Sequence, residues 1–255
     1  MSLPVDATRL AVGTLTVLPV EPPSTVDRRV AALAMTLAPL AVLPLAVPVA
    51  LLVWAGDRLD TPALLTGLLA VGLLALGSGG LHLDGLADTA DGLTVPGDTT
   101  RRLAVMRTGD VGPVGAATLL LVMSVQAVAL AGTLERYGAA AAALTAGLGV
   151  VVSRGCLVIA CSRGVPAARG DGLGSAVAGS VPLPVVLLVL GALTTTALLL
   201  DGGRGVAGVT VAAVVAGGVL LRAVRRLGGV TGDVLGAVVE LALAGYLVAQ
   251  VVGSP

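Results

Sequence analysis

Gly79-Gly80-Leu81-His82-Leu83-Asp84-Gly85-Leu86-Ala87-Asp88-Thr89-Ala90-Asp91-Gly92-Leu93 is the stretch from which the rest of the chain is read. Three of the chain's fifteen acidic residues fall within it, beside its one histidine. On a helix, offsets of four and seven share a face, so Asp84, Asp88 and Asp91 are expected to point the same way. Three like charges on one stripe repel each other unless a cation lies between them. Carboxylates alone suit a hard ion such as Mg²⁺, which takes few protein oxygens and completes its shell with water and phosphate. Gly85 and Gly92, each following an Asp, cost helix stability and so mark places where a ligand or helix comes close. A solvated acidic helix start beyond a membrane span is the plainer alternative. The regular interleaving of carboxylates with Leu and Ala speaks against it.

Around this stretch the chain is apolar. Hydrophobic residues make up 56% and charged residues 12% of its 255 residues, and the mean hydropathy is +1.03. That composition predicts an all-α, polytopic transmembrane bundle, residues 1–255 forming one integral-membrane domain. All fifteen cations are Arg and the formal net charge is zero, so nothing points to nucleic acid. Cys156 and Cys161, five apart in an apolar run, suit buried packing rather than a disulfide or zinc site. Met1 to Val20 lacks the pattern of a cleaved signal peptide.

Taken in order, Thr8 to Leu18 is too short to span and is expected to lie at the interface or re-enter. About seven spans follow: Val30 to Trp54, Pro62 to about Leu83, Gly112 to Thr133, Gly138 to Cys161, Val181 to Leu200, Gly205 to Leu221, and Asp233 to Val252. Pro39, Pro44 and Pro48 predict kinks in the first. Arg101 to Arg107 reads as a short amphipathic helix outside the bilayer. With these spans, eleven arginines fall on one side, Arg58, Arg136 and Arg204 on the other, and Arg154 inside. The positive-inside rule then puts the N-terminus and the acidic motif on the cytoplasmic side, and the expected location is the cell (inner) membrane.

A second acidic element opens the last span. Asp233 and Glu240 are seven apart, and Glu240 lies about two turns into an apolar helix. A carboxylate there costs roughly 2.5 kcal/mol or more if unpaired, so it should face the bundle interior with a partner. Laid on the first motif, Gly79-Gly80 matches Gly228-Gly229, Asp84 matches Asp233 and Asp91 matches Glu240, a loose internal echo. Arg154, flanked by Ser153 and Gly155, is the third costly residue, either an ion-pair partner or a bidentate holder of a diphosphate. Gly112 and Gly115 offer backbone N–H groups to a phosphate at a helix start, or form a tight turn. Gly203 to Gly208 fits G-x-G-x-x-G, but no strand precedes it and no dinucleotide fold follows.

The motif Gly80-Leu81-His82-Leu83-Asp84-Gly85-Leu86-Ala87-Asp88-Thr89-Ala90-Asp91-Gly92 resembles the signature of the cobalamin synthase family, the adenosylcobinamide-GDP ribazoletransferases. The similarity recurs at Met106-Arg107, Gly112, Gly115, Ser153-Arg154-Gly155, Asp171-Gly172-Leu173-Gly174, Thr231-Gly232-Asp233 and Glu240-Leu241. One loop departs: Met106-Arg107-Thr108-Gly109-Asp110 lacks an Asp and an Arg that many members carry there. The resemblance implies joining of adenosylcobinamide-GDP to α-ribazole, or its 5′-phosphate, with release of GMP and with Mg²⁺ as cofactor. It implies a catalytic set of Asp84, Asp88, Asp91, His82 and Arg154, and substrate contacts at Arg107, Gly112, Gly115, Ser153, Asp171, Gly172 and Thr231. The metal ligands expected are Asp84, Asp88, Asp91, Asp233 and Glu240. A carboxylate or His82 takes the hydroxyl proton, and the sequence does not choose. The expected partners are the two small-molecule substrates and the lipid bilayer, with a homo-oligomer left open.

Two other classes fit the sequence less well. Asp84, Asp88 and Asp91 distantly resemble the acidic motif of CDP-alcohol phosphotransferases, but the Arg that motif needs after Ala87 is Asp88 here. A cation or proton transporter would set its charges near the midplane, whereas these crowd toward one face.

Overall fold

In the computed structural model, residues 2–252 are described and fold into helices joined by short turns. The first helix, α1 (Leu3–Leu15), packs on α2 (Arg28–Ala41), which continues through a break at Val42 into α3 (Leu43–Arg58). The extended segment between α1 and α2 is tied back by Asp6, whose carboxylate accepts from Ser24 N and Oγ, both at 2.7 Å. Asp27 then caps α2 by accepting from the Arg29 and Val30 N–H groups at 2.8 Å. The break at Val42 lies between Pro39 and Pro44, and Pro44 opens α3, where a missing N–H costs nothing. Only part of the predicted proline kinking thus materialises as a break.

α4 (Ala63–Gly77) and α5 (Leu81–Thr94) meet at 94°. Gly79 and Gly80 make this corner in the left-handed region, at φ 64° and 72°, which side chains disfavour. α6 (Thr99–Val105) follows, capped by Asp98, and then the 43-residue α7 (Pro113–Gly155). Gly138 interrupts α7 with φ 78° and ψ 177°. Gln126 and Arg154 both reach Glu240, at 2.9 and 3.9 Å, although a straight helix would hold them roughly 40 Å apart. α7 is therefore a helical hairpin folded at Gly138.

The short α8 (Leu157–Ala160) and α9 (Gly172–Val177) lead to the 45-residue α10 (Leu183–Leu227), which is interrupted at Gly202. Gly205 packs against the Ala197 backbone, so α10 also doubles back. Both reversals fall where the sequence placed turns between spans. α11 (Gly232–Val251) is the most enclosed long helix and packs on α5, α7 and α10. Small residues permit this: a Cβ on Gly208 would lie 2.6 Å from Tyr246.

Among the described residues there is no β-strand, and four helical runs are long and apolar enough to cross a membrane: 28–58, 113–160, 183–227 and 232–251. The bent pair α4–α5 is a fifth only if its two helices form one broken span rather than a re-entrant loop. The chain is an all-α membrane bundle.

Candidate functional site

The site begins with the crossing of α5 and α11. A Cβ on Gly85 would stand 2.7 Å from the Asp233 carbonyl oxygen and 2.9 Å from its Cα. One turn on, a Cβ on Gly236 would stand 3.0 Å from the His82 carbonyl oxygen and 3.1 Å from its Cα. Two backbones in contact leave no room between them, so the flanking side chains gather at the rim. Asp84 is exposed there, while Asp88 and Asp233 are half-buried. Asp88 feels the negative charges of Asp84, Asp233 and Asp91, and the positive charge of Arg169. The predicted neighbourhood of Asp84 and Asp233, 149 positions apart in sequence, is therefore present.

The loop before α10 supplies Arg169, and the turn after α6 supplies Arg107. Ala168 N donates to Val230 O at 2.9 Å and Val230 N to Pro166 O at 3.0 Å, which fastens the loop to the approach to α11. Gly174 packs on the Thr231 backbone, where a Cβ would come within 2.6 Å of the Thr231 Cα. Arg169 is thus set with Nη1 3.6 Å from Asp233 Oδ2, its Nη2 donating to Leu103 O at 2.7 Å. Arg107 Nη2 donates to both Asp171 oxygens, at 2.6 and 2.7 Å, an exposed ion pair made through one nitrogen. Its charge also acts on Asp233. Gly172 opens α9 with φ 75°. Thr231 caps α11, accepting from Val234 N at 3.2 Å and donating to Asp233 Oδ2 at 3.1 Å.

Two of the expected metal ligands are turned elsewhere. Asp91 is buried and accepts from Gly112 N and Gly115 N, each at 2.8 Å, at the start of α7. The N–H groups expected to receive a substrate phosphate thus receive the protein's own carboxylate, which suits the positive end of a helix. Seven positions from Asp84 share a face only approximately, and that drift lets Asp91 address a different helix.

Glu240 lies beneath the crossing, buried, with Gln126 Nε2 donating to it at 2.9 Å and Arg154 Nη2 3.9 Å away. Arg154 is fully buried, donates to Ser153 Oγ at 2.9 Å, and sets Nη2 3.4 Å from His82 Nδ1. Ser153 Oγ itself donates to Val150 O at 3.0 Å. His82, Arg154, Glu240 and Gln126 form one interior polar network whose partners are protein groups. Arg154 Nε and Gln126 Oε1 lack partners in it. The expectation that Arg154 and Ser153 touch substrate directly finds no open surface here.

The fit to a divalent ion rests on Asp84, Asp88 and Asp233. Among the described residues no three His, Cys, Asp or Glu side chains form a ready-made cage. Mg²⁺ does not need one, because it keeps water and phosphate oxygens in its shell and binds through one or two carboxylates. Hard oxygens on two touching helices, with mutual repulsion to relieve, fit that ion. Asp91 and Glu240 are withdrawn from the ligand set.

Arg169 and Gln126 belong to the site but are not among the site residues expected from the sequence. Arg169 was signalled by its place two residues before Asp171, and Gln126 by being an amide in an apolar run.

Comparison with known proteins bears on the whole chain. Residues 7–251 match the family model described as cobalamin-5-phosphate synthase. The chain is 52% identical over 244 residues to the adenosylcobinamide-GDP ribazoletransferase of a Nocardioides species, covering 96% of this chain and 97% of that one. It is 39% identical to the protein of that name from Frankia casuarinae, covering 97% and 95%. An Escherichia coli protein so named is 38% identical over 188 residues, covering 72% and 74%. No solved structure matches. With helices, motif and full-length similarity in agreement, the chain belongs to the cobalamin-5-phosphate synthase family.

Proposed function

We propose that this protein joins adenosylcobinamide-GDP to α-ribazole, or to its 5′-phosphate, and releases GMP in the assembly of the cobalamin nucleotide loop. Full-length family membership supports the reaction. The observation that carries the site is the crossing at Gly85 and Asp233, which gathers Asp84, Asp88 and Asp233 beside Arg169. Asp84, Asp88 and Asp233 hold Mg²⁺ in this reading. When bound, the ion supplies positive charge to the diphosphate and to the departing phosphate of GMP.

A ribose hydroxyl oxygen of the ribazole attacks the phosphorus that carries cobinamide. The new P–O bond forms as the bond to GMP breaks. The hydroxyl proton goes to a carboxylate of the cluster. His82 is buried with Nδ1 directed at Arg154, which leaves it poorly placed to accept that proton. Arg107 and Arg169 bind the anionic groups of the substrate at the rim. The network of Arg154, Glu240 and Gln126 supports α5 from beneath and positions His82 without touching substrate.

The bundle crosses the inner membrane seven times, with α7 and α10 each contributing two crossings, and its carboxylates open to the cytoplasm. The test is direct. Purified protein in detergent is given adenosylcobinamide-GDP, α-ribazole and Mg²⁺, and products are separated by chromatography. Equal release of GMP and a ribazole-bearing corrinoid is expected. Intact substrates after prolonged incubation would overturn the proposal.

A further inference from the structure

The C-terminal half of α10 carries a face that the reaction does not use. Gly218, Leu221, Arg222, Arg225 and Arg226 line one open groove along this helix. Their spacing of three and four places them on a single face. Arg222, Arg225 and Arg226 are all exposed, and among the described residues no carboxylate forms an ion pair with any of them. The cations that act on Asp88 and Asp233 are Arg169 and Arg107, so this trio is a separate group.

The other end of the groove is apolar and shallow. Gly217 and Gly218 have no heavy atom within 4 Å of a Cβ position. Val214 and Leu221 beside them are 69% and 50% exposed. In a membrane bundle such exposed aliphatic surface faces acyl chains. The positive-inside rule accounts for arginines at this end of the helix, but it does not call for the bare glycine surface that adjoins them at Gly217 and Gly218. An acyl chain laid over Gly217 and Gly218 brings a headgroup phosphate to the arginines. Guanidinium groups bind phosphate bidentately, and basic recesses at the cytoplasmic ends of helices recognise anionic headgroups.

We propose that the groove of Gly218, Leu221, Arg222, Arg225 and Arg226 binds the headgroup phosphate of an anionic phospholipid, with an acyl chain over the glycines. The occupant is a lipid rather than free phosphate, because half of the groove is apolar and borders the lipid-facing surface.

The test starts from the full-length wild-type chain in bilayers of equal phosphatidylcholine and phosphatidylglycerol. Native mass spectrometry after detergent extraction should show retained phosphatidylglycerol in excess of phosphatidylcholine. Each cation near an anionic surface contributes roughly fivefold in affinity, so Arg222→Gln, Arg225→Gln and Arg226→Gln together should lower retention on the order of a hundredfold. Added glycerol phosphate should not displace the lipid. Equal retention of the two lipids by the wild type overturns the proposal, whatever the variant's folding. So does displacement by glycerol phosphate, or undiminished retention in the triple variant.

Discussion

Gly85 and Asp233 meet backbone to backbone: a Cβ on the glycine would lie 2.7 Å from the Asp233 carbonyl oxygen. Helices α5 and α11 are therefore held at a separation that only glycine permits, and the carboxylates on either side share one rim. Gly85→Ala must push the helices apart. Overpacking of this kind costs about 1–3 kcal/mol, and displacing the carboxylates should lower turnover on the order of tenfold or more. Gly72→Ala, where a Cβ meets nothing within 4 Å, should leave turnover unchanged and raise the melting temperature slightly, because alanine favours the helix. Thermal melting and GMP release in detergent measure the two effects.

Asp91 is predicted to be a capping residue rather than a metal ligand. It takes the Gly112 and Gly115 N–H groups at the start of α7, each at 2.8 Å. Replacing it by Asn leaves buried donors facing a weaker acceptor, a loss of about 2 kcal/mol. The melting temperature of Asp91→Asn should fall, while the Mg²⁺ concentration for half-maximal activity stays at the wild-type value. A several-fold rise in that concentration would return Asp91 to the ion.

Beneath the crossing, Glu240 balances a fully buried Arg154. Glu240→Gln leaves the guanidinium uncompensated and should destabilise by about 3–5 kcal/mol. Removing both charges, as Arg154→Met with Glu240→Met, should recover most of that loss, because Gln126 retains the Glu240 backbone carbonyl at 3.1 Å. Losses that simply add would mean the two residues do not act as a pair.

Orientation is tested by labelling. Cys156 and Cys161 are both fully buried and should stay silent to an impermeant thiol reagent. Thr99→Cys and Arg163→Cys place thiols at exposed positions at the carboxylate end of the bundle. Both should react in inverted vesicles and resist reagent in intact cells. Labelling from outside the cell would reverse the orientation.

Much of this could be read from the chain because membrane helices declare themselves by length and hydropathy. The turns at Gly138 and Gly202 were legible from glycine beside charged residues between two apolar runs. The close approach at Gly85 was legible from a glycine set in a helical pattern. The corner at Gly79 and Gly80 was not: the span expected from Pro62 to about Leu83 ends at Gly77 and turns by 94° into α5, because hydropathy alone does not register two glycines in the left-handed region. What the sequence could not give was the rotation of one helix about its axis. Asp91 and Asp84 look alike on a helical wheel, yet a drift of about 20° per heptad and a neighbouring helix start send Asp91 to Gly112 and Gly115. Glu240 and Arg154 were each flagged as costly, but their depth below Asp233 depends on the hairpin in α7 and on Gln126. Arg169 reaches Asp233 only because its loop is fastened beside Val230, a contact that no local pattern encodes.

The central claim is that Asp84, Asp88 and Asp233 serve one ion. Asp84→Asn, Asp233→Asn and the double variant, each checked for a normal melting profile, are titrated with Mg²⁺ while GMP release is followed. The account predicts that each single change raises the Mg²⁺ requirement at least on the order of tenfold, and that the double variant is little worse than either. Independent, multiplying effects of the two substitutions, or full activity of the wild type in excess chelator, would contradict it.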